Sequence, residues 1–178
     1  MTGTSMRSTP APAGGITSND EMMIARRPVT RRRVDAVEIV PGLWVGSAPS
    51  AGQSATLVER GVDAVLDLRA EDDAKPLVWP DGVIVANAEL RDHGTPTVAQ
   101  LRGAAAMVKA LVGNGRTVLV HCHAGVERAP MVACAVLVLQ GWSLEDAYRR
   151  VSERRPQALP TDGQLAALRA LAAQPAER

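Results

Sequence analysis

The chain has 178 residues, 46% hydrophobic, 2% aromatic and 22% charged, with a formal net charge of +1. That length accommodates one domain with a sizeable core and a tail. The near-neutral balance gives no global argument for nucleic acid or an anionic membrane, and neither a membrane-span-length apolar run nor a signal-peptide core is present. Two cysteines, Cys122 and Cys134, make no disulfide framework. A reducing cytoplasm is therefore the expected location. The Ala-, Val-, Leu- and Arg-rich usage, without a single Phe, fits a high-GC bacterial genome.

Charge is uneven along the chain. Residues 1–36 carry six arginines against Asp20, Glu21 and Asp35, which is +3, leaving −2 for the remainder. Residues 1–20 are small, polar and rich in Pro and Gly, and residues 1–36 as a whole read as a disordered, arginine-rich tail. The tail is either a solvated leader or a basic docking segment. Residues 37–175 are expected to form the folded domain. AVEIV and LWV, split by Pro41-Gly42, predict a short hairpin. SAGQSATLVERG predicts a helix ended by Gly61. VDAVLDL and VIVANAEL are apolar runs of the buried, parallel-strand type. Thr97 caps a predicted helix, TVAQLRGAAAMVKALVGNG, and TVLVH is a third buried strand that ends at Cys122. Helical patterns follow over residues 127–140, in SLEDAYRRVSERR with Ser143 as cap, and in TDGQLAALRALAAQ with Thr161 as cap. Strands alternating with helices give an α/β fold with a mostly parallel central sheet flanked by helices.

The stretch VLVHCHAGVERAP, residues 118–130, carries the chemistry. A buried strand that turns directly into a helix exposes consecutive backbone N–H groups, an anion cradle assisted by the helix dipole. A cysteine at the base of that cradle has its thiolate stabilised and becomes a nucleophile. Arg128, six residues after Cys122, returns to the rim, where its fork can hold two oxygens of a tetrahedral oxyanion. Gly125 permits the backbone conformation that aims amides inward.

HCHAGVER resembles the H-C-x5-R signature of the protein tyrosine and dual-specificity phosphatase superfamily, with His121, Cys122, Gly125 and Arg128 in place. VPGLWVGSAPSA resembles the opening strands of dual-specificity phosphatases and GVDAVLDLRAE their next strand, so the resemblance spans residues 37–172. It implies an atypical, cysteine-dependent dual-specificity phosphatase. Cys122 would attack phosphorus, and His123, Ala124, Gly125, Val126, Glu127 and Arg128 would form the phosphate-binding loop. His121 would brace that loop by hydrogen bonding. His123 reads equally well as a solvent-facing loop residue. No metal and no other cofactor is implied, because the cradle and the arginine neutralise the phosphoryl charge. Cys134, among VACAVLVL, reads as a core residue too far along its helix to bridge Cys122.

The resemblance also implies an aspartate on a mobile loop about thirty residues before the cysteine, acting as acid and then as base. Trp79-Pro80-Asp81 spells the tripeptide that names that loop in tyrosine phosphatases, but Asp81 lies 41 residues upstream and precedes the strand VIVANAEL. Asp92 lies 30 residues upstream, follows that strand, and opens Asp92-His93-Gly94-Thr95-Pro96, which resembles the family's D-H-G-x-P continuation. Asp92 is the expected acid and WPD a coincidental turn. LPTDGQLAAL resembles the glutamine-bearing segment that positions hydrolytic water, so Gln164 is either that residue or a plain exposed helical glutamine.

Ala129 stands where the family usually has Ser or Thr. The missing hydroxyl would have hydrogen-bonded the sulfur, a bond worth about 1.5–3 kcal/mol to a charged group. Glu127 adds a negative charge to the loop. Both features predict slow breakdown of a cysteinyl-phosphate. The expected substrate is a phosphoprotein (phosphotyrosine, phosphoserine or phosphothreonine) or a related small phosphoester. The alternatives are a catalytically weak phosphate-binding module and a sulfurtransferase. Nothing in the sequence fixes oligomeric state.

Overall fold

A computed structural model describes Met1, residues 33–70 and residues 76–175. The chain divides into two units, Met1–Thr30 and Arg31–Arg178, and the structure below is that of the second. The tail readings for residues 2–32 lie outside the described residues. Contacts with the sheet begin slightly before Val37, since Val34 is already packed against Leu57, Val62, Val65 and Leu119.

Gly42, at φ +81, reverses the chain between β1 (Ala36–Val40) and β2 (Leu43–Gly46), which pair antiparallel as the expected hairpin. Helix α1 (Ala51–Glu59) crosses to β3 (Ala64–Asp67). β4 is Ile84–Asn87, α2 is Val98–Gly113, and β5 is Val118–His121. Three helices close the fold: α3 (Arg128–Leu139), α4 (Leu144–Arg154) and α5 (Asp162–Ala172). The five strands order as β1-β2-β5-β3-β4, and every pairing except β1–β2 is parallel. Thr97, Ser143 and Thr161 cap α2, α4 and α5 through their side chains, as their place before each apolar pattern requires.

Alternation along the central strands divides the core. Val118, Val120, Ala64 and Leu66 face the large cluster built with α2, α3, α4 and α5, whereas Leu119 and Val65 face the smaller one under α1. Arg128 to Leu137 are all buried, because α3 is enclosed between the sheet and its neighbouring helices. β4 departs from expectation. It terminates the sheet, and Ile84 and Val85 are 38% and 53% exposed. An apolar run specifies a strand but not its position in the sheet, and an edge strand leaves one flank to solvent. Among the described residues, no helix is long and apolar enough to cross a membrane.

Register positions the site. Gly46, His121 and Asp67 pair across β2, β5 and β3, and Asp67 pairs with Asn87 of β4. The loops leaving these strand ends therefore gather at one sheet edge, where open α/β sheets place their ligands.

Candidate active site

β5 delivers Cys122 one residue beyond its last paired position, 3% exposed at the floor of the loop that leads into α3. The backbone N–H of Gly125 donates to Cys122 Sγ at 3.2 Å. Gly125 adopts φ +68, and a Cβ there would lie 2.5 Å from the Gly46 carbonyl, so glycine is demanded twice at this position. The rest of the loop is tied to its surroundings through backbone groups. Ala48 N–H donates to the carbonyl of His123, and Leu159 N–H to that of Val126. The side chains of His123 and Ala124 are exposed, and the Val126 side chain is half-buried.

Arg128 begins α3 and is 1% exposed. One end of its guanidinium donates to the Leu90 carbonyl at 3.1 Å, and the other meets the Asp92 carboxylate at 2.7 Å. Asp92 lies on the loop after β4, which Leu90 anchors by donating its N–H to the Leu68 carbonyl. The residue four positions along from Leu90 closes a tight turn, Gly94 N–H donating to the Arg91 carbonyl, with His93 in the left-handed region at φ +53. His93 Nδ1 sits 2.9 Å from both oxygens of Glu127. Two consecutive residues of the upstream loop thus pair with two consecutive residues of the phosphate-loop candidate.

Asp81 is exposed and lies in the turn that enters β4. That turn is at the Ile84 end, paired with Ala64, opposite the edge holding His121 and Cys122. A four-residue strand separates the two edges by roughly 13 Å.

Gln164 is fully buried, which excludes the plain exposed helical glutamine. Its side chain accepts from Thr161 N–H in a capping box and donates to the Gly94 carbonyl at 3.3 Å. It therefore holds the Asp92 loop against the start of α5. The fit is close enough that a Cβ on Gly163 would collide with Thr95 Oγ1.

His121 is fully buried, with Nδ1 3.3 Å from the Cys122 carbonyl oxygen and 3.7 Å from Asp67. Burial pushes its pKa below the usual imidazole value, against the opposing pull of Asp67. Asp67 is itself paired bidentate with the buried Arg69. Its burial works upward, but the Arg69 hydrogen bonds and the nearby His121 hold its carboxyl below the usual range. Ala129 is fully buried within α3, and Cys134 lies deeper in the same helix, its thiol pushed up to about 12 by burial.

One residue at this edge carries no motif signal. Arg155, just after α4, is 2% exposed and forms a bidentate pair with Asp35 at 3.1 and 2.9 Å. It also donates to the Gly125 carbonyl at 2.5 Å and the Ala124 carbonyl at 3.3 Å. Burial raises the Asp35 carboxyl, but Arg155 outweighs it and holds it below the usual range. A run such as SERRP predicts solvated arginines; only the docking of α4 against β1 brings this one inward, with Arg150 and Arg154 donating to the carbonyls of Ile39 and Glu38.

Asp92, His93 and Glu127 are the one group of potential metal ligands among the described residues, with ligand atoms within 4.8 Å of one another. Asp92 is already engaged by Arg128, and the two ring nitrogens of His93 face different carboxylates, so the arrangement is a hydrogen-bonded bridge between loops. A cavity of about 360 Å³ beside Arg128 is lined by Leu90, Gly94, Pro96 and Met131, among others. A larger one, about 830 Å³, lies between α2, α5 and the α3–α4 turn, away from Cys122.

The family model “Dual specificity phosphatase, catalytic domain” matches residues 43–174. Dual specificity protein phosphatase 12 of Rattus norvegicus is 31% identical over 135 residues, which is 72% of this chain and 38% of that protein. Human dual specificity phosphatase 28 is 32% identical over 133 residues, 71% of this chain and 72% of that protein. The chain thus spans well under half the length of the rat relative it matches. Among solved structures, Tk-PTP in its active form superposes with a TM-score of 0.71 at 29% identity, covering 78% of this chain and 96% of that one. Human DUSP28 gives 0.69 at 28% identity, covering 76% and 94%. The chain belongs to the dual-specificity phosphatase catalytic-domain family, within the tyrosine phosphatase superfamily.

Proposed function

We propose that the domain hydrolyses phosphomonoesters through a cysteinyl-phosphate. The Cys122 thiolate attacks phosphorus while Arg128 and the loop amides hold the non-bridging oxygens, and Asp92 gives a proton to the departing oxygen. Water then attacks the thiophosphate ester, Asp92 takes its proton, and inorganic phosphate leaves with the thiolate restored. The observation that carries this reading is the 2.7 Å Asp92–Arg128 pair, which holds a carboxylate beside a loop whose Gly125 amide already addresses Cys122 Sγ. A phosphoryl group entering that loop competes with Asp92 for the guanidinium and releases the carboxyl toward the leaving oxygen. The substrate is a phosphotyrosine, phosphoserine or phosphothreonine protein, or a related small phosphoester. A bacterial cytoplasmic setting remains our expectation, resting on composition and the unpaired thiols.

Stopped-flow hydrolysis of para-nitrophenyl phosphate in EDTA tests the proposal. Cys122→Ser is expected to abolish turnover, and Asp92→Asn to reduce it by about 10²–10⁴-fold. Full activity in Cys122→Ser would end the cysteine mechanism. The second reading, a weak phosphate-binding module, is favoured by Ala129 and Glu127. Phosphopeptide capture without turnover would establish it.

A further inference from the structure

We infer that Arg155 is a positioning residue that sets the direction of the phosphate-loop amides from behind, with Asp35 holding it in place; this rests on the phosphate-site reading of the loop. In a trans peptide the carbonyl and the N–H of the next residue point opposite ways. Arg155 Nε and Nη2 bind the carbonyls of Gly125 and Ala124. The N–H groups of Val126 and Gly125 are thereby turned to the other side, and the latter is the one that reaches Cys122 Sγ at 3.2 Å. Two anchored peptide planes in succession form a fixed anion nest rather than a floppy loop.

The arginine also explains a sequence choice. A Cβ on Gly125 would stand 2.4 Å from Arg155 Nη2, so the loop glycine is fitted to this guanidinium as well as to its positive φ. Asp35 completes the arrangement. It accepts both Nη groups of Arg155, fixing the plane of the fork, and its carbonyl receives Ser47 N–H at the end of β2. Because Asp35 neutralises Arg155, that arginine adds little net charge to the nest. Arg155 therefore acts through geometry and through polarising the two carbonyls it binds.

The test compares wild type with Arg155→Lys, Arg155→Ala and Asp35→Asn in the full chain. One readout is affinity for inorganic phosphate by calorimetry. The other is the pH profile of Cys122 alkylation by iodoacetamide, followed by intact mass, with thermal unfolding as the folding control. Arg155→Lys and Arg155→Ala are expected to unfold near wild-type temperature or modestly below it, to bind phosphate about 10- to 100-fold more weakly, and to shift the alkylation profile to higher pH. Asp35→Asn is expected to fall between them and wild type. If Arg155→Ala does not fold, Arg155→Lys and Asp35→Asn decide the matter. Folded variants with unchanged phosphate affinity and alkylation profile would overturn the inference. Neither readout needs turnover: a wild type that binds phosphate but hydrolyses nothing refutes the phosphatase reading, while the loss of binding in the variants still supports this one.

Discussion

At the scale of single residues, the candidate site sets Cys122 and Arg128 beside Ala129, which has no hydroxyl, and the acidic Glu127. Ala129 is buried in the first turn of α3, so a serine hydroxyl there would have no solvent to compete with the sulfur for its proton. Ala129→Ser is expected to raise steady-state turnover about tenfold or more and to remove any pre-steady-state burst, since a hydrogen bond to a charged sulfur is worth about 1.5–3 kcal/mol. Equal turnover and an unchanged trace would show that the missing hydroxyl does not limit the second step. Glu127 holds His93 at 2.9 Å. Such a partly exposed pair contributes about 0.2–1 kcal/mol to stability. His93→Ala is therefore expected to leave the melting temperature within a few degrees while lowering kcat, because it loosens the loop that carries Asp92. Cys134, whose thiol is pushed up to about 12 by burial, should stay unalkylated by iodoacetamide at neutral pH in the folded protein, and its modification before unfolding would contradict that burial.

At the scale of elements, the decisive piece is the six-residue connection from β5 to α3, which is held from outside at four successive carbonyls, those of His123, Ala124, Gly125 and Val126. Gly125 is the hinge of that connection. Gly125→Ala must adopt φ +68 with a Cβ against the Gly46 backbone and Arg155. Left-handed backbone alone costs about 1–2 kcal/mol. We expect loss of both phosphate binding and activity, and a fall in the urea midpoint; a variant with wild-type phosphate affinity would contradict this account of the loop. The upstream loop is held differently, by side chains from α3 and α5. Gln164 shows the difference between motif and element. Its buried amide serves the α5 cap and the Gly94 carbonyl, so Gln164→Ala should unsettle the Asp92 loop as well as any water-positioning step.

At the scale of the whole molecule, three titrating groups at the active edge act in one direction on acidification. His121 is neutral when buried and has a folded pKa below the ordinary 6.5, so the unfolded chain takes up a proton first and stability declines below about pH 6.5. Asp35 and Asp67 have folded values below 3.8; their contribution is complete above that pH and is lost as pH falls through the depressed values. Urea unfolding should therefore show two declines, with the upper one absent in His121→Asn. Each step is bounded at about 1.4 kcal/mol per pH unit per proton. Stability that stays flat between pH 7.5 and 5.5 would refute the His121 assignment.

Much of this protein is determined by local order in the chain. Strand–helix alternation, the Thr97, Ser143 and Thr161 caps, the Pro41-Gly42 hairpin and the Cys122…Arg128 interval all read directly from neighbouring residues, because capping, turn formation and a strand-to-helix loop involve atoms only a few positions apart. The strand order also separates Asp92 from Asp81, since a parallel strand carries the chain from one sheet edge to the other. Tertiary structure alone decided the rest. It placed β4 at the exposed margin, buried Gln164, brought His93 onto Glu127 across 34 residues, and drew Arg155 and Asp35 together behind the loop across 120. Those outcomes depend on which faces pack, and a charged or apolar residue bears no local mark of the surface it will meet.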